Sequence, residues 1–182
     1  MIVSVHQRKF HLSNALPEIT VAPDTYEVSP EPVILVATLS GALALCLHDE
    51  GRGLGGLLHL RFTSGDGRPS DVTDNTLSSV LVVLDRFKKA VLGNNFRSDE
   101  VQARVLAHGL PPTGVTEPTA SIVDLVQADF ADSKIHCGSQ IVRRQDGLCV
   151  CFEPFHGRVW VSGPNDKRLS NALPARRRAA LR

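Results

Sequence analysis

Short apolar runs separated by turn residues dominate the first third of the chain. The runs are Val33 to Leu39, Leu43 to Leu47 and Leu57 to Phe62, all rich in Val, Ile and Leu. Runs of this length between turn residues are typical of buried strands rather than of helices. We therefore predict a strand at each run, and one further short strand between Ile19 and Val28.

The hydrophobic period changes in the middle of the chain. After a loop at residues 63–75 that is rich in Gly, Ser, Asp and Pro, apolar residues recur three and four positions apart from Leu77 to Val91. This is the spacing of an amphipathic helix, and Gly93 can close its end. A second helix is predicted from about Thr119 to Phe130, with Ile122, Leu125 and Val126 on its inner face.

The later strands complete the predicted fold. One strand is expected at Val101 to Ala107, before the second helix. Three more strands are predicted as a β-meander, because Asp-Gly and His-Gly turns separate apolar runs there. They are Ile135 to Arg143, Leu148 to Phe152 and Arg158 to Val161, with turns at Asp146-Gly147 and His156-Gly157. The elements predict an α/β protein, a mixed α+β sandwich whose mixed, largely antiparallel sheet layers are covered by two helices.

Length and charge limit the organisation. A chain of 182 residues with 42% hydrophobic content can bury one good core. We expect a variable lead-in at residues 1–18, one domain at residues 19–163 and a basic tail at residues 164–182. The formal net charge of +1 does not indicate nucleic acid or an anionic membrane as a partner. The arginines near the C-terminus are expected to form a solvated tail, the alternative being contact with phosphate or an acidic protein face.

The expected compartment is the cytoplasm. The N-terminal sequence MIVSVHQRKF lacks the apolar core and cleavage site of a secretory signal. No window approaches the roughly 20 apolar residues of a membrane helix, so membrane insertion is not expected. The four cysteines are interpreted as free thiols of a reducing compartment.

Two patterns in the sequence suggest a cofactor, and each has a simpler interpretation. Gly51, Gly53 and Gly56 spell the letters of a dinucleotide-binding loop, but LLHLRF follows as a strand and supplies no helix N-terminus for a phosphate. A tight loop is the preferred interpretation. Cys149 and Cys151, with His136, Cys137 and His156 nearby, suggest zinc as an alternative, but a C-x-C pair departs from the usual spacing. Buried apolar cysteines are preferred, and no cofactor or metal is expected.

The segment from Val36 to His59, VATLSGALALCLHDEGRGLGGLLH, carries the strongest indication of chemistry. It reads as a strand, a Ser40-Gly41 turn, a second strand, a glycine cluster and His59. A histidine directly after such a frame is a candidate general base, and a base acts on a thiol or hydroxyl. The turn is followed instead by Ala42, so the frame lacks a nucleophile.

These residues resemble the CheD family of chemoreceptor glutamine deamidases. TLSGA from Thr38 is similar to the family's T-L-L-G-S-C, LALCLHD from Leu43 to V-A-V-C-L-Y-D, and GGLLH from Gly55 to G-G-M-N-H. The closing FEPFHGRVWV from Phe152 also looks like a family segment. The resemblance runs from about Ile19 to Val161 and implies a CheD-like fold.

The resemblance also implies roles for individual residues. The nucleophilic cysteine column falls on Ala42, and the base column falls on His59. Thr38 stands close to the family's catalytic threonine, and the backbone amide at Gly41 can hold the oxyanion. The family's Gly-Gly after its middle strand has become Ala107-His108, and another glycine pair has become Arg143-Arg144.

Two functions follow from this resemblance. One is hydrolysis of glutamine side-chain amides to glutamate in methyl-accepting chemotaxis receptors, with release of ammonia. The other is a catalytically inactive binding protein that docks on such a receptor or on a CheC-type phosphatase.

Cys46 lies four residues along the strand, roughly 13 Å from Ala42, and is not expected to replace the missing nucleophile. Ala42 is interpreted as natural divergence or deliberate replacement, and the changes at His108 and Arg143 favour divergence.

Overall fold

The computed structural model describes residues 16–61, 74–109, 118–143, 146–163 and 169–170. Within these ranges the chain forms ten strands, two α-helices and one short 3-10 helix. In chain order they are β1 (Glu18–Thr20), β2 (Thr25–Ser29), β3 (Ile34–Leu39), β4 (Ala42–Asp49), β5 (Leu54–Arg61), α1 (Asp74–Leu92), the 3-10 helix (Ser98–Glu100), β6 (Val101–His108), α2 (Pro118–Asp132), β7 (Cys137–Val142), β8 (Leu148–Glu153), β9 (Arg158–Ser162) and β10 (Leu169–Ser170).

The described strands form two five-stranded sheets. The central sheet has the order β2-β5-β4-β6-β7, and the outer sheet has the order β1-β3-β8-β9-β10. The pairs β1/β3 and β6/β7 are parallel, and the others are antiparallel. Both helices pack on the central sheet. The predicted mixed α+β sandwich with two covering helices is therefore confirmed.

Strand β4 contributes to both cores of the molecule. Leu43, Leu45 and Leu47 pack with the helices, whereas Ala42, Ala44 and Cys46 pack with the outer sheet. Successive side chains of a strand point to opposite faces, so a strand covered on both faces needs apolar residues throughout. This explains the unbroken apolar run in the sequence.

The helical period of the sequence corresponds to α1. Val80, Leu84, Phe87 and Val91 are buried against the central sheet. Gly93 has a φ of 66°, and its N–H donates to the Lys89 carbonyl at 2.9 Å, closing the helix as predicted. The second predicted helix is also confirmed. Its residues Ile122 and Val126 are buried, and Leu125 is packed against the same core.

The single strand predicted between Ile19 and Val28 is wrong. Two strands lie there, β1 in the outer sheet and β2 in the central sheet. Asp24 adopts a φ of 62° in the turn between them. Asp is among the few residues that tolerate this left-handed conformation, which lets the chain pass from one sheet to the other.

The predicted β-meander is also wrong. Of the three strands predicted for the meander, β8 and β9 form a hairpin, whereas β7 joins the central sheet parallel to β6. A parallel pair needs a crossover, and α2 supplies it. The connection at Asp146-Gly147 therefore passes between sheets instead of closing a hairpin. Gly147 has a φ of 83°, and a β-carbon there would lie 2.9 Å from the Leu39 carbonyl oxygen.

Gly51 and Gly53 lie in the turn between β4 and β5, whereas Gly56 lies within β5. Gly53 has a φ of 59°, and strand β5 follows at once, so a tight loop is present at the first two of the three glycines. Within the described ranges, neither α1 nor α2 combines the length and apolar character needed to span a membrane.

Candidate functional site

His59 lies on the inner face of β5, opposite Ala44 of β4, and is only 3% exposed. Its Nδ1 is 3.1 Å from the Val21 carbonyl oxygen. A carbonyl oxygen only accepts, so Nδ1 must carry the proton in this bond. The lone pair of the neutral imidazole is then on Nε2, which is the form a general base requires.

The surroundings of His59 favour its neutral form. Burial lowers the pKa of His59, and the nearby Arg61 guanidinium lowers it further. The hydrogen bond to Val21 and the Asp24 carboxylate act in the opposite direction without reversing the shift. At neutral pH the imidazole is therefore uncharged.

Ala42 lies beside His59 at the start of β4. It is buried in the inter-sheet core and stands directly between Arg61 of β5 and His108 of β6. The register makes Ala42 and His59 diagonal neighbours on one sheet face, a relation that corresponds to about 7–8 Å between α-carbons. The structure thus brings the predicted base and the predicted nucleophile position together. A methyl group occupies the latter.

The turn before Ala42 is built on Gly41, whose φ is 57°. The Gly41 N–H donates to Nδ1 of His108 at 3.2 Å, and the bond is buried. The backbone amide predicted as an oxyanion donor therefore already has an acceptor. The preceding Ser40 is exposed.

Thr38 lies elsewhere in the fold. Its neighbours Ala37 and Leu39 point into the inter-sheet core, so Thr38 points to the opposite, exposed face of the outer sheet. It stands opposite Cys149 of β8. The structure does not bring Thr38 to the face that carries His59 and Ala42.

None of the cysteines takes the place of a nucleophile at residue 42. Cys46 is on the same face of β4 but is completely buried, and burial raises the pKa of its thiol strongly. Cys137 is in the helix-side core, where burial raises its pKa to about 12. A protonated thiol is a poor nucleophile. Cys149 and Cys151 lie on the outward face of β8, with their Sγ atoms 4.0 Å apart.

The residues considered for zinc are distributed over several places. Cys137 belongs to the central sheet, Cys149 and Cys151 to the outer sheet, and His156 binds Glu153 at the β8–β9 turn. In the part of the chain that the structure describes, no group of three or more His, Cys, Asp and Glu side chains is arranged to hold a metal ion.

His108 and Arg61 complete the site, although the sequence did not single them out as functional. Arg61 forms an exposed ion pair with Asp24, with Nε to Oδ2 at 2.9 Å, so the edge beside Ala42 is charged. His108 is buried opposite Ala42. Its position could be inferred from alternation, because Leu106 two residues earlier faces the same core.

Comparison with known proteins supports a distant relationship. No protein-family model matches the chain. The protein named "Probable chemoreceptor glutamine deamidase CheD" of Burkholderia orbicola (strain MC0-3) is 23% identical over 171 residues, covering 91% of this chain and 66% of the relative. Its namesake in Cupriavidus pinatubonensis is 27% identical over 149 residues, covering 79% and 67%. "Probable chemoreceptor glutamine deamidase CheD 1" of Albidiferax ferrireducens is 25% identical over 162 residues, covering 86% and 63%. The chain thus spans about two thirds of the length of these curated relatives.

Two solved structures were also found by similarity of fold. The Bacillus licheniformis hypothetical protein YfiH has a TM-score of 0.40 at 11% identity, with 63% of this chain and 49% of that chain covered. YlmD from Geobacillus stearothermophilus has a TM-score of 0.36 at 12% identity, with 64% and 50% covered.

Proposed function

The chain is a CheD-like protein, and from that premise we propose that it binds a glutamine-bearing segment of a methyl-accepting chemotaxis receptor and leaves the amide intact. The names of the curated relatives support the choice of receptor and glutamine. The observation that carries the proposal is Ala42, a methyl group beside the buried His59 where a thiol would have to stand.

Thiol-dependent deamidation requires a cysteine thiol at residue 42, where this chain has alanine. A thiolate attacks the amide carbonyl carbon and forms a C–S bond, the C–N bond breaks, and the protonated base gives its proton to the departing ammonia. Water then resolves the thioester to a carboxylate. Alanine cannot begin this sequence. Loss of the nucleophile costs roughly six orders of magnitude in kcat in a measured triad enzyme, a loss that no positioning by the rest of a site offsets.

Other thiols of the chain do not support hydrolysis at this place. Cys46 is fully buried, and its raised pKa keeps it protonated. The remaining cysteines lie in the helix-side core or on the outward face of β8. Binding without turnover is therefore the function that the geometry supports best.

Deamidation remains the second candidate because of His59. Its Nδ1 faces a carbonyl oxygen and burial lowers its pKa, so Nε2 is the unprotonated ring nitrogen of a residue that is the diagonal neighbour of Ala42. Under this alternative the unmodified chain converts receptor glutamine to glutamate and releases ammonia.

The two functions are separated by measuring binding and ammonia together. The probe is a cytoplasmic receptor fragment that carries its glutamines, with a Gln→Glu version of the same fragment for comparison. We expect calorimetry to detect binding of the glutamine fragment by the unmodified protein, with no ammonia above the fragment alone. We expect Ala42→Cys to bind the glutamine fragment with the same affinity as the unmodified protein. The control is Ala103→Cys, which places a thiol on the opposite face of the central sheet.

Three outcomes decide against the proposal. Ammonia released by the unmodified protein would favour the deamidase. Equal affinity for both fragments would show that glutamine is not recognised. Binding to a CheC-type phosphatase, with none to the receptor fragment, would assign the docking role to the other partner.

A further inference from the structure

His108 stands directly opposite Ala42 in the register of β4 and β6, and only 2% of it is exposed. Residues directly opposite each other in an antiparallel pair share one face of the sheet. Leu106, two residues earlier on β6, belongs to the inter-sheet core together with Ala42. His108 therefore lies on the face where an attacking group at residue 42 would work.

The hydrogen bond from Gly41 selects one tautomer of a neutral His108 ring. The backbone N–H of Gly41 donates to Nδ1, so the lone pair of a neutral imidazole is on that nitrogen and the proton is on Nε2. His59 has the opposite arrangement, because its Nδ1 donates to Val21. Hence the two histidines are not equivalent, and the basic lone pair of His108 is already engaged.

The same bond removes a donor from the site. Attack on an acyl group places negative charge on the carbonyl oxygen, and backbone amides at a tight turn stabilise that charge when they point at it. The Gly41 amide points at His108 instead. An amide that has a buried acceptor must lose that hydrogen bond before it can serve another oxygen.

We propose that His108 withholds the Gly41 amide from any acyl group beside residue 42, so that this site has diverged from acyl-transfer chemistry at two positions, Ala42 and His108. This inference rests on the proposed function, in which a deamidase-like frame binds without hydrolysis. It makes His108 a positioning residue that acts through Gly41. Replacing Ala42 by cysteine alone then leaves the frame without its oxyanion donor.

The test uses acyl transfer from p-nitrophenyl acetate, which needs no receptor. In the Ala42→Cys protein the new thiol passes its proton to His59, the sulfur attacks the ester carbonyl, a thioester forms, the C–O bond breaks and p-nitrophenolate leaves. Adding His108→Ala removes the acceptor, whereas adding His108→Asn keeps an acceptor oxygen near the position of Nδ1. We expect the first double variant to acylate about 100-fold faster than the Ala42→Cys parent, the size of effect that one oxyanion donor has. The Asn double variant should match the parent.

Alkylation by iodoacetamide is the control, because this reaction develops no oxyanion. The rate of alkylation should differ by no more than a few-fold among the variants. If His108→Ala does not fold, His108→Leu supplies a side chain of similar bulk without an acceptor. The inference would be overturned if Ala42→Cys acylates at the same rate with and without His108→Ala, including no acylation in either protein. It would also be overturned if adding His108→Asn raises the acylation rate as much as adding His108→Ala. Failure to bind a receptor would contradict the proposed function but would not change the ratio of acylation rates between the His108→Ala double variant and its Ala42→Cys parent.

Discussion

At the scale of single residues, the site depends on which partner each imidazole meets. Nδ1 of His59 faces a carbonyl oxygen, whereas Nδ1 of His108 faces an N–H group. The sequence predicts His59 because a Gly-Gly pair and a strand lead to it. It could not predict the role of His108, whose partner Gly41 is 67 residues away and becomes a neighbour only when β4 and β6 pair.

His59 predicts a loss of stability in acid. Its pKa is lowered in the folded chain, so the unfolded chain takes up a proton first as the pH falls. The contribution is complete above the unfolded pKa of about 6.5 and declines below it, at up to about 1.4 kcal/mol per pH unit, until the folded pKa is reached. His59→Asn keeps a donor for Val21 and does not titrate. Urea unfolding between pH 7 and pH 5 should show a smaller decline for this variant.

His48 provides the matched comparison. It is buried on β4, its Nδ1 is 2.8 Å from the Pro154 carbonyl oxygen, and burial lowers its pKa as well. His48→Asn should reduce the acid-dependent decline in the same direction. A decline that is unchanged in both variants would show that the two imidazoles do not stay neutral in the folded chain.

Thiol reactivity is the second prediction at this scale. Burial raises the pKa of Cys46, and that of Cys137 to about 12, so both should resist iodoacetamide in the native protein. Cys149 is only half-buried and should react first. Peptide mass spectrometry after timed alkylation measures the order. Labelling of Cys46 ahead of Cys149 would contradict the burial described for β4 and would reopen its candidacy as a nucleophile.

At the scale of elements, local patterns identify α1 and β4, whereas the choice of strand partners is not local. The helical period of α1 repeats within one segment, and the apolar run of β4 reports burial on both faces. The Asp146-Gly147 signal correctly marks a change of direction. It cannot show that β7 pairs with β6 across α2, because that pairing depends on which sheet edge the helix leaves open.

Two glycines with the same backbone conformation test the packing of the turns. Gly157 and Gly93 have φ values of 64° and 66°. A β-carbon at Gly157 would lie 2.6 Å from Cδ2 of His48, whereas the nearest atom at Gly93 is Nη1 of Arg52 at 3.5 Å. Gly93→Ala should cost about 1–2 kcal/mol for the left-handed conformation, and Gly157→Ala about 1–3 kcal/mol more for overpacking.

Urea unfolding of the two glycine variants gives the comparison directly. Because the strain of the left-handed conformation is common to both, their difference measures the crowding at His48. Equal costs would mean that the β8–β9 turn moves away from β4 without resistance.

At the scale of the whole molecule, the central sheet joins two cores. Phe87 is buried between α1 and the central sheet, and Phe152 is buried between the sheets. Since β4 contributes to both, damage to either core should destabilise the entire domain. Phe87→Ala and Phe152→Ala should each cost about 3–5 kcal/mol, with one unfolding transition by circular dichroism and Trp160 fluorescence. Transitions that separate between the two probes would show that the layers unfold independently.

The layered architecture could be predicted from alternation and period, since these report how many faces of each element are covered. The frame of the site could be predicted because its residues are close in sequence, from Gly41 to His59. The outward position of Thr38 could not, because it depends on which face of β3 meets the central sheet. The absence of a nucleophile at Ala42 is evident both from the sequence motif, which lacks its cysteine, and from the structure, where a methyl group lies beside a buried histidine.

The decisive measurement is the intact mass of a glutamine-bearing receptor fragment recovered from its complex with the unmodified protein. Because Ala42 offers no nucleophile, we expect the fragment to bind and its mass to stay equal to that of fragment incubated alone. A time-dependent change from the mass of glutamine to that of glutamate, beyond that control, would show that the chain is a deamidase and that binding without turnover is wrong.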